Sequence, residues 1–178
     1  MKNTFLNKES ADERRSNRTL AFLSKHIESN TKILDLGVAN KLSERMKQLG
    51  YDVSNTQGEN LDVDYCKYLN LDVEAVTAFE IFEHMLAPFN ILRELKTEKL
   101  VASVPLKLWF ANAYWNDKDE WDKHYHEFEE RQFGLLLERT GWKIIDSQRW
   151  TSAEWKLGVR PIMRHFFPRY YIVYCERV

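Results

Sequence analysis

Apolar residues recur with helical spacing from Ala11 to Ser29, where Leu20, Leu23 and Ile27 share one face. Asn30-Thr31 breaks the pattern, and Lys32-Ile33-Leu34-Asp35-Leu36-Gly37 follows as a short buried strand ending at a turn. The spacing then predicts a helix over Lys41–Leu49 with Leu42, Met46 and Leu49 inward, Asn40 as its N-cap and Gly50 as its stop. Tyr51 to Thr56 reads as a second strand and Gln57-Gly58-Glu59-Asn60 as a turn. Leu61 to Asp72 is irregular, with alternation enough for a short third strand. Ala75 to Ile81 is a further buried strand. A helix begins at Pro88 and carries its apolar positions from Phe89 to Leu95, and Lys99 to Pro105 is a strand with its proline at the end. Glu129 to Thr140 is strongly amphipathic, with Phe133, Leu136 and Leu137 inward, and Gly141 stops it. Trp142–Trp150 and Tyr170–Tyr174 are strand-like, and the stretch between them is mixed and basic.

Strands alternating with helices predict an α/β layer fold with a mostly parallel sheet. The last connection lacks a long helix, so the final strand is expected antiparallel. No repeat or linker interrupts the chain, and residues 1–178 are expected to form one domain with residues 1–10 loose.

Composition narrows the function. The 178 residues carry 26 Lys plus Arg against 27 Asp plus Glu, a formal net charge of -1. No basic excess points to nucleic acid or to an anionic membrane. No apolar run is long enough to span a bilayer, and none near Met1 resembles a secretory signal. The two cysteines, Cys66 and Cys175, are far apart, which leads to the expectation of free thiols in a reducing cytoplasm. The six glycines spell neither a P-loop nor GxGxxG, which disfavours a nicotinamide-dependent oxidoreductase.

In open parallel sheets, ligands bind beyond the carboxyl ends of the strands. The residues there form an ordered set: Ile33-Leu34-Asp35-Leu36-Gly37, Leu49-Gly50-Tyr51-Asp52-Val53, Phe79 to Pro88 with its Glu83-His84, Ala102-Ser103-Val104-Pro105, and Gly141-Trp142. From about Lys32 to Trp150 the chain thereby resembles the class I S-adenosylmethionine-dependent methyltransferases, in particular the small-molecule group called methyltransferase type 11 or 12. The resemblance implies a three-layer sandwich on a mostly parallel seven-stranded sheet with a reversed C-terminal hairpin. It implies S-adenosylmethionine as methyl donor and a small-molecule acceptor, with no nucleic acid or membrane as partner.

The same resemblance places Asp35, Gly37, Val38 and Ala39 in the first cofactor loop. It puts Gln57 where the second strand usually ends in an acid for the ribose hydroxyls, with Glu59 two residues on. Asp62 falls at the acid that contacts the adenine amino group, and Glu80 and Ile81 beside the methionine part. The family's G-x-G-x-G is reduced here to Gly37-Val38-Ala39-Asn40. A non-glycine residue forced to positive φ costs roughly 1–2 kcal/mol. The thinned loop and the missing acid motivate an alternative, a non-catalytic binding protein on the same fold.

Chemistry beyond the cofactor is sparser. His84, His124, Tyr125 and His126 are the candidates for acid–base work, since imidazole titrates near neutrality. His124 and His126, with Asp122 or Glu127, lack the helical HExxH arrangement, and no metal is expected there. Residues 106–128 concentrate aromatic side chains: Trp109, Phe110, Tyr114, Trp115, Trp121, Tyr125 and Phe128. They read either as a satellite core or as an acceptor wall or lid, with Trp109, Tyr114 and Trp115 as substrate-binding candidates. Arg14, Arg15 and Arg18 are a solvated helix face, or reach the cofactor carboxylate, or grip an anionic substrate. Arg160, Arg164 and Arg169, among Phe166, Phe167 and Tyr171, match no RNA-binding motif and read as a structural edge.

Overall fold

A computed structural model of the chain describes residues 10–119, 121–152 and 158–178. Six strands form one sheet: β1 (Lys32–Asp35), β2 (Asp52–Asn55), β3 (Ala75–Phe79), β4 (Lys99–Pro105), β5 (Trp142–Thr151) and β6 (Pro168–Arg177). Their order across the sheet is β2-β1-β3-β4-β6-β5. The first four are parallel, and β6 runs antiparallel between β4 and β5. The helices are α1 (Ala11–His26), α2 (Lys41–Gln48), α3 (Pro88–Glu94), α4 (Glu130–Arg139) and α5 (Val159–Phe166).

Alternation along each strand sorts the core into two layers. Leu34, Val76, Leu100, Ala102 and Val173 point to one face, where they pack with Ile91 and Leu92 of α3 and Phe133 and Leu137 of α4. Ile33, Ala75, Val101, Ile172 and Tyr174 point to the other, against Leu20, Phe22 and Leu23 of α1 and Met46 of α2. The architecture is thus helices, sheet, helices, as the strand–helix alternation predicted.

The expected seventh strand is not among the described residues. The segment that could have supplied it, 61–72, turns away from the sheet and forms a 3-10 turn at Tyr65–Tyr68. Asp62 explains the departure: its carboxylate accepts the backbone N–H groups of Leu86 (2.9 Å) and Ala87 (2.7 Å), pinning the segment to the start of α3. Leu49, expected inward, is exposed beside the Gly50 turn. The basic stretch before β6 contains α5, which buries none of its side chains fully. Val159, Ile162, Met163 and Phe166 follow helical spacing on α5, but the stretch reads in sequence as mixed and basic, and the stripe is largely exposed. The expected loose N-terminus lies outside the described residues except for Ser10, whose hydroxyl accepts the Glu13 N–H (3.1 Å) and caps α1. Cys66 is exposed and Cys175 buried, and neither is bonded to the other. No helix among the described residues is long and apolar enough to cross a membrane.

Candidate functional site

The connection from β1 to β2 runs one way across the sheet and that from β3 to β4 the other, so the chain reverses between β1 and β3. A crevice opens at the carboxyl ends of strands where such a reversal occurs. Asp35 closes β1 beneath it. This carboxylate is buried, accepts the Thr77 hydroxyl (2.7 Å) and the Asn55 side-chain amide (3.0 Å), and thereby ties β1 to both neighbours. Burial pushes its pKa up to about 6, against the two hydrogen bonds. Asp35 therefore supports the loop above it through the strands.

That loop is knitted to the end of β2. The Gly37 N–H donates to Thr56 Oγ1 (2.9 Å), and the Gly37 carbonyl accepts the Asn55 amide (3.2 Å). Gly37 sits at φ 148°, and a Cβ there would stand 3.2 Å from Ile81 Cδ1. Val38, Ala39 and Asn40 all have negative φ, so the strain expected from the missing glycines does not arise. Asn40 instead caps α2, accepting the N–H groups of Leu42 (2.8 Å) and Ser43 (3.1 Å). Val38 and Ala39 lie exposed at the loop's tip.

At the end of β2, Gln57 is exposed and its N–H donates to Glu59 Oε2 (2.9 Å). Tyr68 donates to the same oxygen (2.5 Å), and this bond first among several holds the Glu59 carboxyl below its usual range. An ionised, oriented acid thus stands two residues beyond the position where one was sought. Asp62 has both oxygens committed to the start of α3.

Beyond β3, Glu80 takes φ 58°, a left-handed conformation uncommon outside glycine and frequent at functional sites. Its carboxylate accepts the Ser103 hydroxyl (2.8 Å) and faces Arg15 at 4.0 Å. Burial raises its pKa, opposed by Ser103 and Arg15. Ile81 contributes the methyl group that faces Gly37. A cavity of about 380 Å³ opens here, lined by Asn40 and Leu42 after β1, Phe79 ending β3 and Glu80 after it, Ser103 on β4, and Arg15 and Thr19 on α1.

The segment after β4 is clipped back onto the strand-end loops. Lys107 and Phe128 join its two ends, and the N–H groups of Tyr125 (2.8 Å) and His126 (3.2 Å) both donate to the Glu83 carbonyl. This brings His124 against His84, ring centroids 4.8 Å apart and edge to face. The buried Glu83 carboxyl joins them at 3.7 Å from His84 Nε2, and one ligand atom of each residue lies within 4.8 Å of the others. Burial, then the charge of Glu80, pushes Glu83 well above its usual value, whereas burial and His124 push His84 down. A neutral acid beside a neutral imidazole can pass a proton, and the same three groups can hold a divalent metal. His126 stands apart from this group, stacked on Phe128 with its Nε2 3.3 Å from the Leu86 carbonyl. His124, considered in the sequence beside its neighbour His126, thus meets His84 instead.

The aromatic candidates lie outside the crevice. Trp109 and Trp115 are 71% and 53% exposed, Tyr114 bonds Asp122 through its hydroxyl (2.7 Å), and none of the three lines the cavity. The Tyr125 ring is also exposed, edge-on to Trp115. Sequence reading missed the meeting of Arg15 with Glu80. Both residues were visible, but no local pattern places α1 over the end of β3.

No family model matches the sequence, and comparison with curated proteins finds no match. Solved structures do match. The chain aligns with the Burkholderia thailandensis 1,6-didemethyltoxoflavin-N1-methyltransferase, crystallised with 1,6-didemethyltoxoflavin and S-adenosylhomocysteine, at TM-score 0.64 and 16% identity over 98% of this chain and 81% of that one. An Archaeoglobus fulgidus S-adenosylmethionine-dependent methyltransferase aligns at TM-score 0.63 and 13% identity, over 94% and 95% of the two chains. The [4+2]-cyclase SpnF aligns at TM-score 0.58 and 12% identity, over 97% and 85%. The chain therefore has the Rossmann-like class I methyltransferase fold, on six strands with a C-terminal antiparallel hairpin. The cyclase in this group shows that the fold does not dictate the reaction.

Proposed function

We propose that the chain is an S-adenosylmethionine-dependent methyltransferase acting on a small-molecule acceptor. The carrying observation is the cavity at the chain reversal between β1 and β3, lined by the Asn40 cap of α2, the left-handed Glu80 and Arg15 of α1. The residues fit the donor. Gly37 is a position that a Cβ would crowd, Glu59 presents an ionised acid at the end of β2, and Arg15 and Glu80 offer opposite charges for an amino-acid moiety. When bound, S-adenosylmethionine supplies an electrophilic methyl group, whose transfer to an acceptor heteroatom leaves a neutral thioether and releases a proton.

The chain's own residues then orient and exclude. Gly37, Val38 and Ala39 would form the loop that receives the donor, and Glu59 would take the place of Gln57 as the acid for its ribose. Glu80 and Ile81 would hold its methionine end. His84 is held neutral by its burial and can take a proton, but neither it nor His124 lines this cavity. Holding donor and acceptor in line in a dry crevice supplies most of the acceleration that such a reaction requires of a protein.

Titration of the folded protein with S-adenosylmethionine and S-adenosylhomocysteine by calorimetry tests the reading. Saturable one-to-one binding in the micromolar range is expected. The engagement of both Asp62 oxygens favours a second reading, a methyltransferase-fold binding protein without the donor. Absence of binding to either compound would establish that reading in place of the first.

A further inference from the structure

Two arginine groups far apart in sequence meet at a second cavity. Its volume is about 240 Å³, and it is lined by Arg14, Arg15 and Arg18 of α1, Arg164 of α5 and Arg169 of β6. Asp12 is the one acid on its lining among the described residues. Arg15 leans on Asp12 (3.6 Å) and Glu80 (4.0 Å), and Arg169 on Glu127 (3.4 Å) and the Leu106 carbonyl (2.6 Å). Arg18 and Arg164 have no carboxylate partner among the described residues.

Three polar atoms of the lining residues are also unpartnered. Trp150 Nε1, Ser152 Oγ and Arg164 Nε belong to lining residues, are shielded from solvent, and find no hydrogen-bond partner among the described residues. Trp150 is 5% exposed. Buried donors normally find partners. Five guanidinium groups set against a single carboxylate leave this small cavity with an excess of positive charge and of hydrogen-bond donors, whose complement is an acceptor-rich anion. Arginine's planar fork suits a phosphate better than a point charge does.

This cavity adjoins the one assigned above to the methyl donor. Arg15 and Asp12 line both, and the Arg15 guanidinium lies 5.4 Å from the ring centroid of Tyr170, which lines the arginine cavity. A compact molecule gripped at one end among the arginines thus presents its other end toward Glu80.

We infer that the methyl acceptor is a small phosphate monoester, held through its phosphate by Arg14, Arg18, Arg164 and Arg169. The acceptor role rests on the reading of the neighbouring cavity as the donor site; the binding of the anion does not. Inorganic phosphate, glycerol phosphate and acetate are titrated against the full chain at constant ionic strength, with S-adenosylhomocysteine titrated separately. Both phosphates are expected to bind one to one, at least tenfold more tightly than acetate, with the monoester tighter than inorganic phosphate. Arg18→Ala and Arg164→Ala should each weaken phosphate at least tenfold while leaving S-adenosylhomocysteine affinity and the melting temperature unchanged. Arg164→Lys should recover only part of the loss.

Acetate binding as tightly as phosphate would overturn the monoester assignment. Phosphate binding indifferent to both alanine substitutions would overturn the site. A single-stranded oligonucleotide binding more tightly than glycerol phosphate, through the same arginines, would replace the small acceptor with a nucleic acid. Phosphate binding as expected, with no binding of S-adenosylhomocysteine, would keep the anion site and overturn its role as the acceptor site.

Discussion

The loop after β1 and the segment after β4 leave the same edge of the sheet and are built on opposite plans. The first needs only a few residues. Gly37 bonds to Thr56 and Asn55, Asn40 caps α2, and Asp35 braces both neighbouring strands from below. The second runs from Leu106 to Phe128, holds itself by a few backbone clips, and leaves Trp109, Trp115 and Trp121 exposed. Positions in the first are fixed by the sheet, so a substitution there is felt through the fold. Positions between the clips of the second are held mainly by contacts among partly exposed side chains, so a substitution at its exposed aromatics is felt mainly by whatever the segment covers.

The largest expected effect tests the brace. The buried Asp35 carboxyl has a pKa of about 6 against an ordinary 3.8, which makes its ionised form costly to the folded state. Below pH 3.8 both folded and unfolded chains hold the proton, and the group does not discriminate. As pH rises through the interval to about 6, the unfolded chain releases its proton first, and folding stability falls by roughly 3 kcal/mol from this group. Asp35→Asn keeps an oxygen for Thr77 and abolishes the titration. Denaturant unfolding at pH 4 and pH 7 should therefore show the variant gaining on the wild type by up to about 3 kcal/mol as pH rises. A gap that is constant with pH would mean that the carboxylate is solvated and does not act as a buried brace.

A smaller effect separates the one glycine that the first loop uses from those it lacks. At Gly37, φ is 148° and an added Cβ meets Ile81. Gly37→Ala should cost about 1–2 kcal/mol of stability and lower S-adenosylhomocysteine affinity about tenfold. Ala39→Gly restores a family glycine at a position whose φ is already negative. It should bring no gain in affinity, because no strain is there to relieve. Tighter binding by Ala39→Gly would show that the loop is held in a less suitable conformation than a glycine would allow.

This contrast also marks how far the sequence could be read. The α/β order, the Asn40 cap, Pro88 at the start of α3 and the antiparallel end of the sheet follow from local rules of turn, cap and alternation. The missing strand does not, because the fate of residues 61–72 was decided by Asp62 bonding a backbone 24 residues away. His84 and His124 were each visible as titratable residues, yet their meeting depends on Tyr125 reaching the Glu83 carbonyl. The two arginine groups lay on separate stretches, read apart as a solvated helix face and a structural edge. They converge because β6 inserts between β4 and β5, and strand order leaves no trace in periodicity. The elements of the site were legible one by one; their assembly was set by contacts distant in sequence.

The smallest expected effect on stability belongs to the second segment. Trp109 is 71% exposed and meets Phe110 and Phe167 edge to face, with ring centroids 5.5 Å and 6.2 Å away. Removing so exposed a side chain changes stability by no more than about 0.5 kcal/mol. Phe167 precedes Pro168 and Arg169 directly, so Trp109 leans on the chain that carries one wall of the arginine cavity. Trp115 faces Tyr125 and Lys123 instead, away from that chain. If the segment shelters the acceptor, Trp109→Ala should raise the KM for a phosphorylated acceptor severalfold, with S-adenosylhomocysteine affinity unchanged, while Trp115→Ala should alter neither. Equal effects from the two variants would make the segment a diffuse cover. No effect from either would leave the acceptor to the arginines alone, and the exposed tryptophans would then face something other than this substrate.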